Sequence, residues 1–384
     1  MQVNLFDDPL IRGQLLPFTF TRPVAAIRIG ILTIAEKWEH FGFEVGYSTH
    51  SHLTKKYPEK PVSLRVNGAV IPNTEIKEAV QNLQEGEALY ANEKLIACKG
   101  EEKTSLEYSG EVLFIENSWD IFKFNRAQIE ADFAVLTKGR ESQPLNDPHT
   151  IVYGKENLFI EEGVKIRAAI INAENGPVYL AKNSTVHEGA IINGAFALGE
   201  NSHVNMGAKI KGDTTIGPHC KVGGEVSNSV IFGFSNKGHD GFLGNSVIGE
   251  WCNLGADTNT SNLKNNYAPV KLWSYGSGRF ANTGLQFCGL MMGDHAKCGI
   301  NTMFNTGTVV GVGANIFGSG FPRNFIPSFS WGGANGFVTF QPRKFYEVAK
   351  AVMGRRSLEF TEIEKEIVDA VYEQTAQYRI WDKK

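Results

Sequence analysis

Counting every sixth residue from Leu180 gives Leu180, Val186, Ile192, Leu198, Val204, Ile210, Ile216 and Val222, all aliphatic and all in one phase. The beat returns in Phe242, Ile248 and Leu254, and again in Met292, Cys298, Phe304, Val310 and Ile316. A small residue often follows the apolar one, as in "IGPHCK", "IGEWCN", "LGADTN" and "VGVGAN". A helix buries one face with a period of 3.6 residues and a half-buried strand with a period of two. Neither produces six. A triangular coil does, with three short strands per turn, one apolar side chain pointing inward from each, and small residues at the corners. A single coil cannot bury its apolar edges, so coils must stack and their strands pair along the stack. The pattern therefore predicts a mainly β protein built on a parallel β-helix over residues 149–322. It is interrupted by "GGEVSNSVIFGFSNKGHDG" and by "NTSNLKNNYAPVKLWSYGSGRFANTGLQFCG". Both are expected to be loops that leave the coil, the usual place for binding residues.

The flanks read differently. Residues 1–148 mix strand-like runs with helical patches and form an α/β domain. "SLRVNGAVIPN" predicts a hairpin turning at Asn67-Gly68. "PNTEIKEAVQNLQEG" predicts a helix capped near Asn73 or Thr74, and "FKFNRAQIEADFAVLTKGR" a second one before the polar link "ESQPLNDPH". Residues 323–384 carry helical apolar spacing, with Thr361 and Glu364 placed for a capping box. This tail is expected to cover an end of the solenoid or a neighbouring subunit.

Composition narrows the function. The chain has 384 residues, a net charge of −3 and 21% charged residues spread through it. No clustered basic face exists for a nucleic-acid partner, and no apolar run is long enough for a membrane span. The opening "MQVNLFDDPL" lacks the basic and apolar segments of a secretory signal, so a cytoplasmic protein is expected. Five cysteines without a CxxC pair read as buried reduced thiols. His187, His203 and His219 recur every sixteen residues, against a coil of about eighteen, so they are expected to drift around the triangle and hold no metal.

The stretch "SNKGHDGFLGNSVIGEWCNLGADTNTSNLKNNY" closely resembles the acetyltransferase half of the bifunctional enzymes that acetylate glucosamine-1-phosphate and uridylylate the product toward UDP-N-acetylglucosamine. The family pattern "GH…YLGD…IG…NIGAGT…N" aligns without a gap. The resemblance covers roughly residues 150–320 and implies a left-handed coil, a homotrimer, and acetyl-CoA lying between neighbouring solenoids. It puts the general base on His239 and the asparagine beside the reacting amine on Asn262. Substrate contacts fall on Phe242 and Asn253, phosphate contacts near Lys209 or Lys211 and near Lys264 or Lys271, while a departure from the family pattern places the carboxylate of Asp257 close to the substrate. Arg323, Arg343 and Arg355 are the choices for the acetyl-CoA phosphates. These residue types suit the chemistry. A sugar amine must lose a proton before attacking a thioester, and histidine titrates near pH 6.5. Asparagines hold the nucleophile near the carbonyl. The sequence departs from the family where its tyrosine becomes Phe242, where a lysine becomes Ser227, and where "GAGT" becomes "GADT".

"LLPFTFTRPVAAIRIG" resembles the signature of sugar-1-phosphate nucleotidyltransferases through Leu15, Pro17, Thr19, Thr21, Arg22 and Pro23. The phosphate-cradling glycine loop is replaced by "DDPLIRGQ", the catalytic arginine by Gln14, the following lysine by Val24, and the metal-binding aspartate by Ala69. Arg12, Arg22 and Lys37 remain as a nucleotide-binding set of another design. Mg²⁺ and a nucleoside triphosphate are required only if this domain is active. The reading is therefore an amino-sugar-phosphate N-acetyltransferase fused to a reduced nucleotidyltransferase-like domain. Two alternatives stand beside it: an active nucleotidyltransferase whose solenoid serves assembly, and a non-catalytic sugar-nucleotide-binding regulator.

Overall fold

The computed structural model describes residues 1–382. The chain forms two compact units, one of Met1–Arg28 with Leu32–Ser118, the other of Ile29–Ile31 with the residues from Trp119 onward. The division falls earlier than the expected 148 because the helix Asn125–Thr137 packs with the solenoid. Its Ile129 clusters with Ala195 and Ala197, and the Asn125 carboxamide oxygen accepts from Gly30 N at 2.8 Å and Thr215 Oγ1 at 3.1 Å.

The first unit is built on a six-stranded sheet. Its strands Glu44–Ser48, Gln2–Phe6 and Leu64–Asn67 run parallel, and the sheet continues antiparallel through Lys94–Lys99. Thr33 and Glu36 form a capping box on the helix Ile34–His40, which buries Trp38. The predicted helix at Thr74–Asn82 is present, capped by Asn73. The predicted hairpin at Asn67-Gly68 is not. Strand Leu64–Asn67 is already paired on both sides, and Val70–Ile71 pairs instead with Leu113–Phe114. Asn67 ends the strand through its side chain, which accepts from Ala69 N and donates to Leu95 O.

The second unit is a parallel β-solenoid whose strands stack into sheets of nine, ten and six strands. The six-residue beat distributes correctly over these faces. Leu180, Leu198 and Ile216 stack on the nine-stranded face, Val186, Val204 and Val222 on the ten-stranded one, and Ile192 and Ile210 on the six-stranded one. All eight are essentially buried in one continuous core, and each such side chain contributes roughly 1.5–3 kcal/mol by leaving water.

Three expectations change. "GGEVSNSVIFGFSNKGHDG" is not an excursion: it stays in the stack as strands Glu225–Ser227, Val230–Gly233 and Asn236–Lys237, with two tighter steps that carry the inward phase from Val222 to Val226 and Ile231. The phase then lands on Lys237 and Leu243, so Phe242 faces outward and is half-buried. The stack also runs past 322, through Phe325–Ile326 and Ser330–Gly333, before Gly336–Thr339 folds back antiparallel on its edge. Only the later excursion leaves the coil, as a hairpin of Lys271–Ser274 and Arg279–Asn282.

Nor do the three histidines simply drift. The His187 and His203 rings stack at 5.5 Å. His219 instead starts a corner column with Phe234, Trp251 and His295, at ring separations of 4.9, 4.3 and 6.2 Å. Among the described residues no group of three or more His, Cys, Asp or Glu side chains is arranged to hold a metal, and no helix is long and apolar enough to cross a membrane. The five cysteines are buried. In the tail, helix Pro342–Gly354 packs Phe345 against His295 and Phe329, and Thr361 and Glu364 form the expected capping box on Glu362–Gln374.

Candidate active site

His239 lies on the corner that joins strand Asn236–Lys237 of the ten-stranded face to strand Phe242–Gly244 of the six-stranded face. Its side chain is exposed, and it opens into a groove of about 890 Å³ between the ten-stranded face and the end of helix Pro342–Gly354. Asn253 shares this groove, one coil along and in register with Asn236. The walls carry Lys221, Lys297, Arg355 and Arg356, and none of the described lining residues is a carboxylate. Phe234 and Trp251 supply apolar wall, and Ile300, 69% exposed, stands at its edge. Arg356 reaches Asn236 Oδ1 at 3.5 Å. Burial holds His203 and His219 below the usual histidine range, and the Arg356 cation adds a smaller contribution to each. Burial lowers Lys297 to about 8, while its ammonium donates to the His295 carbonyl at 2.9 Å. The groove is therefore built for an anionic ligand with an apolar part.

The six-stranded face on the other side of the His239 corner holds another set of expected residues. Phe242, Glu225 and Lys209 occupy one outward column, and Lys211 beside them pairs with Glu225 at 3.0 Å. Asn262 belongs to this side. Its Nδ2 donates to Asn245 Oδ1 at 2.8 Å, and both it and the Phe242 ring fold over Gly244, where a Cβ would stand 2.7 Å and 2.5 Å from them. Asn262 thus sits at the far end of strand Phe242–Gly244 from His239, so the two residues expected to act at the reacting amine occupy opposite ends of one strand. Asp257 is exposed beneath the His239 turn, with its N–H donating to the Asp240 carbonyl at 3.0 Å.

The remaining residues scatter. The Lys264 ammonium donates to the Pro269 carbonyl within the excursion, and Lys271 is exposed on the hairpin. Of the three arginines considered for acetyl-CoA, only Arg355 lines the groove. Arg343, 92% exposed, pairs with Glu347, and Arg323 is exposed elsewhere. Arg356, Lys221 and Lys297 were missed by the sequence reading. The doubled arginine in "GRRS" was the available signal for the first, while the lysines alternate with inward residues like any solvated face.

In the first unit, Arg12 pairs with Asp7 at 3.0 Å. Arg22 and Lys37, at 3% and 4% exposure, are buried and engaged inside the protein. The expected nucleotide-binding trio is thus not an open cationic site. Asp7 also accepts from Val24 N at 2.7 Å and Thr49 Oγ1 at 2.5 Å, and Asp8 caps the helix Pro9–Gln14. Both aspartates are occupied in holding the loop that replaces the glycine-rich one.

Residues 3–141 match the family model "Sugar nucleotidyl transferase". A "Bifunctional sugar-1-phosphate nucleotidylyltransferase/acetyltransferase" of Sulfurisphaera tokodaii is 26% identical over 68% of this chain and 59% of its own length. The "Bifunctional protein GlmU" of Methanocaldococcus jannaschii is 38% identical over 23% of this chain and 21% of its own. Among solved structures, the polySia specific acetyltransferase NeuO covers 50% of this chain and 83% of its own at 15% identity, with a TM-score of 0.27. The chain thus spans less than two thirds of the length of these curated relatives. Residues 3–141 accordingly carry the sugar nucleotidyl transferase family's pattern, in a chain related to bifunctional sugar-1-phosphate nucleotidylyltransferase/acetyltransferases.

Proposed function

We propose that this protein is an acetyl-CoA-dependent N-acetyltransferase acting on glucosamine-1-phosphate or a related amino sugar phosphate, with its chemistry at the His239 corner. The observation that carries this reading is that His239 and Asn253 open into one groove with Arg355 and Arg356, whose described lining residues include cations but no carboxylate. Acetyl-CoA fits such a groove as a substrate: its phosphates meet the arginines and lysines, and its thioester arm runs along the Ile300 edge. The amino sugar approaches from the six-stranded face, where Phe242, Lys209 and Asn262 are presented. His239, at the corner between the two faces, takes a proton from the sugar amine as the amine nitrogen bonds to the thioester carbonyl carbon. The carbon–sulfur bond then breaks, and the thiol leaves with a proton. We infer a homotrimeric assembly in the cytoplasm, following the resemblance of the solenoid. The first domain acts in this reading as an accessory, since Arg22 and Lys37 are buried and Asp7 and Asp8 are committed to its loop.

The test is thiol release from acetyl-CoA with glucosamine-1-phosphate, for the wild type and His239→Ala. Turnover in the wild type, with a loss of about a hundredfold or more in the variant, is the expected result for removing a general base. Equal rates in the two proteins would remove His239 from the mechanism. The match over residues 3–141 favours a second activity, sugar-1-phosphate nucleotidyl transfer; Mg²⁺-dependent pyrophosphate release from a nucleoside triphosphate and a sugar-1-phosphate detects it.

A further inference from the structure

Lys237 stands where the coil pattern calls for an apolar side chain. Its strand stacks between Lys221–Val222 and Asn253–Leu254, in register with Val222, and Lys237 is only 2% exposed. An ammonium group inside a solenoid is costly unless it is fully engaged by hydrogen bonds. Here Nζ turns toward the next corner and donates to the His239 carbonyl at 2.6 Å and the Asp240 carbonyl at 3.1 Å.

Those bonds belong to a wider arrangement. Four consecutive carbonyls around His239 are tied down. Gly238 O accepts from Asn205 Nδ2 at 2.7 Å, His239 O and Asp240 O accept from Lys237, Asp240 O also accepts from Asp257 N at 3.0 Å, and Gly241 O accepts from Glu225 N at 3.1 Å. Gly241 O is held by the strand of a neighbouring coil, as at any coil corner, and Gly238 O by the Asn205 side chain from two coils away. The carbonyl of His239 itself is held from inside the solenoid by the lysine.

We propose that Lys237 is a positioning residue for His239, an internal strut that fixes the turn presenting the imidazole to the groove. The inference rests on the reading of His239 as the base. Burial lowers the Lys237 amine to about 8, opposed by the nearby Asp240 and Asp257, so the group remains mostly protonated near neutrality. An apolar residue would fill the same column as Val222 and Leu254 without holding the turn. Stacking of the coils therefore gives no reason for a lysine here, and orientation of the corner does.

Lys237→Met separates the two roles, because methionine keeps the length and suits the apolar interior while removing the donor. Three quantities are compared between wild type and variant: the thermal midpoint, amide hydrogen exchange in the segment 235–245, and kcat and KM for thiol release with acetyl-CoA and glucosamine-1-phosphate. The expected result is a thermal midpoint at or above that of the wild type, faster exchange at residues 238–241, and a kcat lower by about tenfold or more with little change in KM, as for a displaced catalytic group. Unchanged exchange in Lys237→Met overturns the inference whatever the activity, and so does a kcat within about twofold of wild type when the wild type is active. Loss of cooperative unfolding in the variant overturns it too, since the lysine would then be a requirement of the stack. A wild type that releases no thiol, with exchange still accelerated in the variant, removes the acetyl-transfer reading and leaves the strut in place.

Discussion

One partly buried histidine in the first unit makes stability depend on pH. His52 is partly buried, its Nε2 lies 2.8 Å from the Phe20 carbonyl, and its Nδ1 lies 2.9 Å from that of His50. Burial is the main cause that lowers it from 6.5 to about 4, with the Arg12 and His50 charges adding to it and the Phe20 carbonyl opposing. The folded state therefore keeps this ring neutral at pH values where the unfolded chain binds a proton. Stability contributed in this way is present above about pH 6.5 and is lost as the pH falls toward about 4. The thermal midpoint should decline over that window, and His52→Gln, which cannot take up the proton, should decline less. Single residues were also where the sequence was hardest to read. Arg22 and Lys37 have the composition of an anion site, but whether a cation faces solvent or the interior depends on loop packing that no spacing encodes. Lys237 sat inside the "SNKGHDG" segment taken for a loop, so its inward direction was invisible until the coil phase was known.

Coils were the most legible elements. A six-residue period repeated over many turns has only one structural solution, and the residues counted from Leu180 all fall inside it. The phase was lost where a corner shortened, at Val222 to Val226, because a tight corner removes residues without changing their type. One consequence can be measured at the corners. At Gly217 a Cβ would stand 1.7 Å from the Phe232 carbonyl oxygen of the next coil, whereas at Gly207 it would meet nothing within 4 Å and bear only the strain of a φ of +68°. Gly217→Ala should therefore cost roughly 3 kcal/mol or more by forcing adjacent coils apart, and Gly207→Ala about 1 kcal/mol. Urea midpoints of the two variants give the comparison, and equal midpoints would mean that stacked corners relax freely. The hairpin expected at Asn67-Gly68 failed for the opposite reason to the coils. A tight-turn dipeptide is a local signal, and two long-range strand pairings outweighed it.

At the scale of the whole molecule the chain carries a net charge of −3, yet among the described residues the groove is lined by cations and neutral groups alone. Such a local field raises the encounter rate of an anionic substrate against the overall charge, and it is weakened by salt. Raising the ionic strength to about 0.5 M should lower kcat/KM for acetyl-CoA, and the double variant Arg355→Ala, Arg356→Ala should show a lower value with a flatter salt dependence. A loss in the double variant with its salt dependence intact would place the attraction elsewhere. The turn that follows helix Pro342–Gly354 supplies these arginines from the tail, which the sequence marked as helical without showing what it would cover. The corner column of rings has a further consequence. Trp251 is sandwiched against Phe234 at 4.3 Å and lines the same groove as His239. Its indole is therefore a built-in chromophore of the site: its emission should register both the arrival of a ligand and the parting of the coils, so that occupancy and unzipping can be followed by light without any label.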